Sequence, residues 1–598
     1  MGSTMPKRLI MIFQKKYISF LQQFRIHDQT FLIILAAVIG FVVGACTLVY
    51  VKMLELAKDF FMNMLPAWAG GGKAIYIFVP ALGALLLWPF ITFFPKETEK
   101  DGVPAAMEAV ALHNGFMRWT SSLLCMAMSA ITLGSGGSAG SEGPIILIGA
   151  AISSGVGQLL RVSRNRLRVI VACGSAAGIA CIFNAPIAGV LFSLEVVMGE
   201  FNIQSFSPIV IASVIATSFS RAFITHGPTL RILPYGQFSA WELILYALMG
   251  ALAGLVSAGF VRTMQMVEYF FEHRIHFSRA IKPACGALVV GVLGFFYPQI
   301  LGYAYEPITS AIAGNFMLTT LLMLLVVKIV ATAFTLGSGG SGGVLCPCLF
   351  LGAMLGMACG TVFKDIFPAI TGNPGCYGVV GMGAMLGAVI QAPMTAIIMI
   401  FELTNRSSVI LPMMAACIIA SLVHKTILSG SIYTLSLARK GIDIAAGREV
   451  GILSSLWVRD VMDTHVARIY ANTPYDVILK QCLSASCNYL YVVNKAGCLE
   501  GVISFSDLRE FVFEESFKHL VVAKDIYNPH VVYVDMEDTL SAALNKFSFI
   551  DMEQLPVVNQ VNGDKILKGV ITQSHVLNAY RNEMLKRSLI AAPTGSAG

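Results

Sequence analysis

Residues 134–144 read GSGGSAGSEGP: five glycines, three serines, one carboxylate and a proline, between apolar runs on both sides. A flexible acidic segment is out of place in such surroundings. The chain has 598 residues, 56% of them hydrophobic and only 13% charged. That charged share is about half of what a soluble domain carries, and the mean hydropathy is +0.73. The composition is that of a membrane protein. From about residue 30 to 440, apolar runs alternate with Gly, Ser and Pro breaks. From about 445 the chain reads as a soluble α/β protein. Many apolar runs are cut into pieces too short to span a bilayer. Broken helices survive at that depth only where protein or an aqueous cavity satisfies the loose backbone.

The stretch has a counterpart. Residues 337–347 read GSGGSGGVLCP, again eleven residues from Gly to Pro. NAPIAGVLFSLE (184–195) is answered by QAPMTAIIMIFE (391–402), each with Glu nine residues after Pro. The offsets are 337 − 134 = 203 and 391 − 184 = 207. Two matched motifs in one order at nearly one offset make the membrane region two related halves, about 30–225 and 240–442. The repeat alone leaves open whether the halves are inverted.

A Gly-rich loop that opens a helix presents backbone N–H groups with no helical acceptor, and the helix dipole adds to them. The result is an anion site, stronger in a water-poor setting. Glycine admits the ion closely, and proline suits the first helical turn. Two such loops, one per half, can share one anion without a buried Lys or Arg that would hold it too tightly for throughput. Glu142 stands where that anion would sit. Ionised, it occupies the site; protonated or displaced, it lets the anion pass, so it serves as gate and proton carrier. A phosphate loop would need Lys after the glycines, and none follows.

The soluble part is also doubled. NYLYVVNKAGCLEGVISFSDLREF (488–511) parallels EQLPVVNQVNGDKILKGVITQSHVLNAY (553–580), each predicting strand, turn, strand, helix. The thirteen cysteines are scattered and predict buried thiols in a reducing compartment, with no metal site. The net charge of +7 fits the positive-inside rule rather than nucleic-acid binding. Lys7, Arg8, Lys15, Lys16 and Arg25 precede the first long apolar run and place the N-terminus in the cytoplasm. Residues 1–29 form an N-terminal segment whose apolar spacing predicts a helix lying on the membrane lipid. Glu195 and Glu402 read as structural helix-end acids, and Lys328 as a structural intramembrane cation.

These motifs resemble the CLC chloride channels and proton/chloride exchangers. GSEGP (140–144), FNAPIAGVLFSLE (183–195), GSGGSGGVLCP (337–347) and SIYTLSLAR (431–439) carry the likeness over about 30–440. The tail resembles a pair of CBS domains. The resemblance implies an α-helical membrane domain (30–442) with a two-half inverted repeat, a linker (443–457), and cytoplasmic α/β CBS domains at 458–515 and 520–585. It implies a multi-pass homodimer of a bacterial cell membrane, moving chloride or another small anion, with protons as a second candidate cargo. No cofactor is required and no enzymatic activity is implied. Glu142 matches the gating glutamate. Gly140, Ser141 and Gly143 match the first anion-binding helix start; Gly343, Val344 and Leu345 match the second. Asp101, Gly102 and Val103 lie in KDGVP, where the family's commonest motif is GSGIP, so Asp101 replaces an anion-binding serine. Tyr433 matches a tyrosine whose hydroxyl contacts the anion. Leu345 stands where many members carry Phe. Val196 replaces the second, proton-carrying glutamate of the exchangers.

CBS pairs resembling this one hold adenine nucleotides through an Asp in a G-V-I-[ST]-x-x-D pattern. The first copy has Ser504 and Asp507; the second has Thr572 and His575, with His in place of Asp. On this reading the lead function is a channel or weakly coupled anion transporter, because of Val196. A proton/chloride exchanger is the alternative, favoured by the VPAAMEAV segment (103–110). A CBS-regulated divalent-cation transporter would need intramembrane acidic clusters, and a membrane enzyme would need a nucleophile–base pair or metal cluster. The sequence supplies neither.

Overall fold

The computed structural model describes residues 28–68, 74–95, 102–223, 241–302, 305–440, 442, 453, 456–485, 489–509, 521–548, 552–561 and 564–590. The predicted surface helix at 1–25 and Asp101 lie outside them. The chain divides into two units, Met1–Lys440 and Gly441–Gly598.

In the first unit, nine helices among the described residues are long and apolar enough to cross a membrane, including Glu142–Leu159, Glu242–His273, Leu318–Gly337 and Leu345–Ile366. Six apolar helices are shorter, among them Gly102–Ala111, Pro186–Met198 and Pro393–Thr404. About 20 residues are needed to cross the hydrocarbon core, so these stop within it. Phe41, Leu82, Phe206, Leu252 and Leu411 expose large apolar side chains at the periphery, as a lipid-facing belt does. The region 103–133, which reads as one apolar run, is two helices, Gly102–Ala111 and Thr120–Gly134. Asn114 and Gly115 break it in the left-handed region, φ 52° and 79°, a turn that this pair adopts readily.

The interior is set by helix crossings repeated in both halves. Gly149 of Glu142–Leu159 lies against Gly174 of Arg164–Phe183. At the matching positions, Gly352 of Leu345–Ile366 lies against Gly381 of Pro374–Ile390. At each of Gly149, Gly352 and Gly381, a Cβ would run into the partner's backbone carbonyl. Both halves therefore use small residues to bring two backbones together where no water drives helices apart or together.

Hydrogen bonds tie the halves by exchange. The Ser138 N–H donates to Thr335 Oγ1 at 3.0 Å, and the Ser341 N–H donates to Thr132 Oγ1 at 3.3 Å. Glu195 accepts from the N–H groups of Met394 and Thr395, at 3.3 and 2.8 Å, and from Thr395 Oγ1 at 2.6 Å. Glu402 accepts from the N–H groups of Ile187 and Ala188, at 3.0 and 2.7 Å. Each acid caps the N-terminus of the short helix in the other half. The spare donors of a helix start and its dipole are thereby satisfied. Glu195 sits in a π-turn, Ser193–Met198, a local widening that re-aims side chains.

The second unit holds two three-stranded sheets of one design. Arg468–Tyr470 runs parallel to Tyr489–Val493, which pairs antiparallel with Leu499–Ser504. Val534–Asp535, Gln554–Val561 and Asp564–Thr572 repeat that order. A helix follows each: Phe505–Arg509 and Gln573–Ile590. Ile469, Leu490, Val492 and Ile503 form the core of the first copy, and Val534, Val557 and Ile571 that of the second.

The crossings make a stability prediction. Gly352→Ala and Gly149→Ala each force backbone movement and cost about 1–3 kcal/mol or more. Gly259→Ala, with nothing within 4 Å of its added Cβ, is neutral or slightly stabilising. Thermal unfolding of the detergent-purified variants checks the contrast; equal loss in all three would remove the close-crossing explanation.

Candidate functional site

The two Gly-rich loops meet. The Gly140 N–H donates to the Gly343 carbonyl at 2.8 Å, and the Gly343 N–H donates to the Gly140 carbonyl at 2.6 Å, an isolated antiparallel bridge between the halves. The helices Glu142–Leu159 and Leu345–Ile366 both begin just beyond it. Neither start is capped by its own preceding side chain: Ser141 and Val344 make no side-chain cap bond. Among the described residues, the N–H groups of Gly143, Val344 and Leu345 donate to no protein acceptor. Free donors from both halves therefore converge on one place.

Glu142 fills part of that place. It is wholly buried, and its Oε1 accepts the N–H of Cys346, in the first turn of the other half's helix. Its Oε2 has no hydrogen-bond partner among the described residues. A buried acceptor left unmade costs about 1–3 kcal/mol, more when charged. The carboxylate thus holds a helix-start donor while bearing a standing cost, the condition of a group that can leave. Gly343 is needed beside it. A Cβ there would lie 2.5 Å from the Gly143 nitrogen and 3.4 Å from the Glu142 carboxyl carbon, filling the approach to the free donor.

A cavity of about 140 Å³ opens from this point. Gly143, Gly343 and Val344 border it, with Gly102 and Val103 at the start of Gly102–Ala111. Tyr433, in Ile432–Arg439, lines it and is buried, and its hydroxyl makes no hydrogen bond to the described residues. That helix is capped by Ser431, whose Oγ accepts the Thr434 N–H at 3.1 Å, fixing the tyrosine one residue into the helix. Of the sequence-predicted residues, the structure gathers Gly102, Val103, Gly140, Ser141, Glu142, Gly143, Gly343, Val344, Leu345 and Tyr433 around the bridge and its cavity. Gly140, Ser141, Glu142 and Leu345 are buried at the bridge and helix starts and do not line the cavity.

Lys328 is buried behind the site. Its Nζ donates to the carbonyls of Ile300, at 2.8 Å, and Gly302, at 3.1 Å, and lies 5.2 Å from the centroid of the Phe350 ring. Ser138 Oγ donates to the same Ile300 carbonyl at 2.9 Å. Val196 is buried next to Glu195 in the π-turn. The described residues contain no group of three His, Cys, Asp or Glu side chains able to hold a metal, and the twelve described cysteines are free thiols. Sequence reasoning gave no role to Glu268 or Arg439, which also line the cavity; Arg439 ends the SIYTLSLAR motif, and nothing in the pattern around Glu268 marks it.

In the tail, Asp507 Oδ2 accepts the Ser504 N–H at 2.8 Å and so caps its own short helix. In the second copy the His575 N–H donates to Thr572 Oγ1 at 3.2 Å, and His575 supplies no equivalent carboxylate.

Comparison with known proteins places this geometry. A family model described as voltage gated chloride channel matches residues 82–425, and one described as CBS domain matches 458–514 and 523–582. A ClcB-like relative of Ralstonia nicotianae, named as a chloride channel protein, is 34% identical over 383 residues, covering 63% of this chain and 88% of its own length. An H(+)/Cl(−) exchange transporter, ClcA, of Salmonella paratyphi B is 29% identical over 419 residues, covering 68% and 88%. The crystal structure of a slow cyanobacterial Cl−/H+ antiporter has the same fold, with a TM-score of 0.62, 24% identity and coverage of 69% of this chain and 98% of that one.

The cradle predicts that Gly343→Ala fills the donor site. Anion efflux from liposomes should fall at least tenfold, a barrier change of about 1.4 kcal/mol, with the protein still folded by size-exclusion chromatography. Unchanged efflux would mean that the ion does not use these N–H groups.

Proposed function

The chain belongs to the voltage-gated chloride channel family, and from that premise we propose that it conducts chloride or a similar small anion through the cavity beside Tyr433, with Glu142 as gate. The observation that carries this is the position of the Glu142 carboxylate on the Cys346 N–H. A carboxylate there competes with the anion for the same donors. Protonation removes the competing charge, so flux rises as pH falls. Channel-like or weakly coupled transport is favoured because Val196, an apolar buried residue, offers no proton acceptor at its position, and its neighbour Glu195 on that π-turn is engaged by Met394 and Thr395. The exchanger reading keeps one specific support: a relative named as an H(+)/Cl(−) exchange transporter matches 68% of this chain.

The proposal includes a homodimer with cytoplasmic termini, and a CBS pair that takes an adenine nucleotide at Asp507. One oxygen of that carboxylate is engaged by Ser504; the other has no protein partner among the described residues and is available to a ribose hydroxyl.

The test uses full-length protein in chloride-loaded liposomes, following chloride efflux and external pH together. The expected result is chloride efflux that increases at low pH, without uphill proton movement. Glu142→Ala should keep the efflux and lose its pH dependence. Uphill proton uptake, abolished in Glu142→Ala, would establish exchange instead. Absence of any anion flux in the wild type would overturn the proposal. For the tail, ATP or AMP should raise the thermal midpoint of the wild type and not that of Asp507→Ala.

A further inference from the structure

The repeat that builds the two halves is broken in its charge at one turn. Glu142–Leu159 crosses Arg164–Phe183 as Leu345–Ile366 crosses Pro374–Ile390, but the chain between the helices differs. The first turn reads RVSRNRLR (161–168), four arginines in eight residues. The second reads KDIFPAITGN (364–373), with one Lys and one Asp. Lys364 Nζ donates within its own turn, to the carbonyls of Pro368 at 3.3 Å and Thr371 at 2.8 Å. Glu242 Oε1 accepts the Gly372 N–H there at 2.9 Å. The crossing therefore folds without a basic turn, and the arginines of the first half answer to something outside it. Arg168 is the exception. Its Nε donates to the Val110 carbonyl at 3.0 Å, and its Nη2 lies 3.5 Å from Glu200 Oε1.

A second loop is pinned to the same helix end. The Met117 N–H donates to Ser154 Oγ at 2.9 Å, and Gln158 Nε2 donates to the Met117 carbonyl at 2.7 Å. Gly115 packs on the turn itself: a Cβ there would lie 2.8 Å from the Leu167 carbonyl carbon. Arg118 and Trp119 are thus held at the end of Glu142–Leu159 from which Arg161 follows. Arg118, Arg161 and Arg164 are exposed. So are Phe116, Trp119, Leu123 and Leu159, large apolar side chains close to them in the chain. Guanidinium groups edged by aromatic and aliphatic side chains, on a domain that spans a bilayer, mark the membrane–water boundary.

We propose that Arg118, Arg161 and Arg164 bind the phosphate headgroup of an anionic phospholipid in the cytoplasmic leaflet, with Trp119 and Leu159 lying along its acyl chains. Charge complementarity selects the occupant. A guanidinium fork suits a phosphodiester, which accepts paired N–H bonds. A zwitterionic headgroup brings a cation that the arginines repel. The positive-inside rule gives such a turn to the cytoplasmic face, where the negative surface potential of the leaflet adds to the attraction. The exposed apolar side chains favour a lipid over a soluble anion, because only a lipid covers them as well. The inference needs the membrane placement of this domain and does not rest on the transport reading.

The experiment is native mass spectrometry of full-length protein, stripped of lipid in detergent and then offered equal amounts of phosphatidylglycerol and phosphatidylcholine. The wild type should retain phosphatidylglycerol in preference. The triple variant Arg118→Gln, Arg161→Gln, Arg164→Gln should retain about tenfold less of it, the reach of three surface cations on an anionic headgroup after screening. Arg161→Gln alone, a milder change should the triple variant fail to fold, should lose about two- to threefold. The triple Arg→Lys variant, which keeps the charge and loses the fork, should fall between wild type and triple Gln. Trp119→Ala should also retain less. Phosphatidylglycerol should raise the thermal midpoint of the wild type, and inorganic phosphate should not. Equal retention of the two lipids by the wild type overturns the proposal, as does unchanged retention in the Gln variants, which would leave the arginines a role in membrane orientation alone. Full retention in Trp119→Ala, together with a midpoint raised equally by phosphate, would make this a soluble-anion site and overturn it as well.

Discussion

Two hydrogen bonds, between Gly140 and Gly343, hold the rest of the site in place. Each half begins a helix immediately after its glycine, so the bridge brings two sets of orphan N–H donors together. A single helix start holds an anion weakly in water; two starts in a dry interior hold it better, because local dielectric falls and no solvent must reorganise. The bridge also explains the glycines. Gly343 gives access to the Gly143 N–H, and Gly136 and Gly339, at matching positions, bend the approaching chain at φ 98° and 107°.

Exchange across the halves recurs at every level. Threonine hydroxyls cap the opposite loop, and carboxylates cap the opposite short helix. In a bilayer interior each unpaired backbone group costs several kcal/mol, and a broken helix creates such groups at its ends. A partner half of the same design supplies acceptors where they are missing. This lets the broken helices stand without water, while the N–H groups of Gly143, Val344 and Leu345 stay open at the bridge among the described residues. Lys328 does not compete for that role. Two of its three N–H donors go to the Ile300 and Gly302 carbonyls, and it is not among the residues that line the cavity.

Much of this is legible in the chain. The repeat offsets bring the two GSGGS loops into register, and Pro after each loop marks where a helix begins. The doubled strand–turn–strand–helix pattern of the tail appears as two sheets of one order. The reading of Glu195 and Glu402 as structural acids finds its reason only in three dimensions, because each serves the other half, some 200 residues away. The turn at Asn114–Gly115 was hidden by the apolar residues around it. The pairing of Glu268 with Arg439, the last residue of SIYTLSLAR, is not in either local pattern, since an ion pair is a fact of where two helices end.

The symmetry fails at one informative position. Counting 203 residues on from Glu142 reaches Leu345, so the acid of the first half has an apolar residue as its counterpart in the second. A second carboxylate there would put two like charges within reach of one set of donors, and one of them would have to stay protonated. With a single acid, the first half supplies the competitor and the second half supplies the donor, at Cys346. On the proposed reading, an ion entering through the cavity meets Tyr433 and the free N–H groups before Glu142, and an ion entering from beyond the bridge has to displace the carboxylate first. Two halves of one design would thereby acquire two inequivalent ends, which is the minimum a gate needs in order to respond to conditions on one side of a membrane.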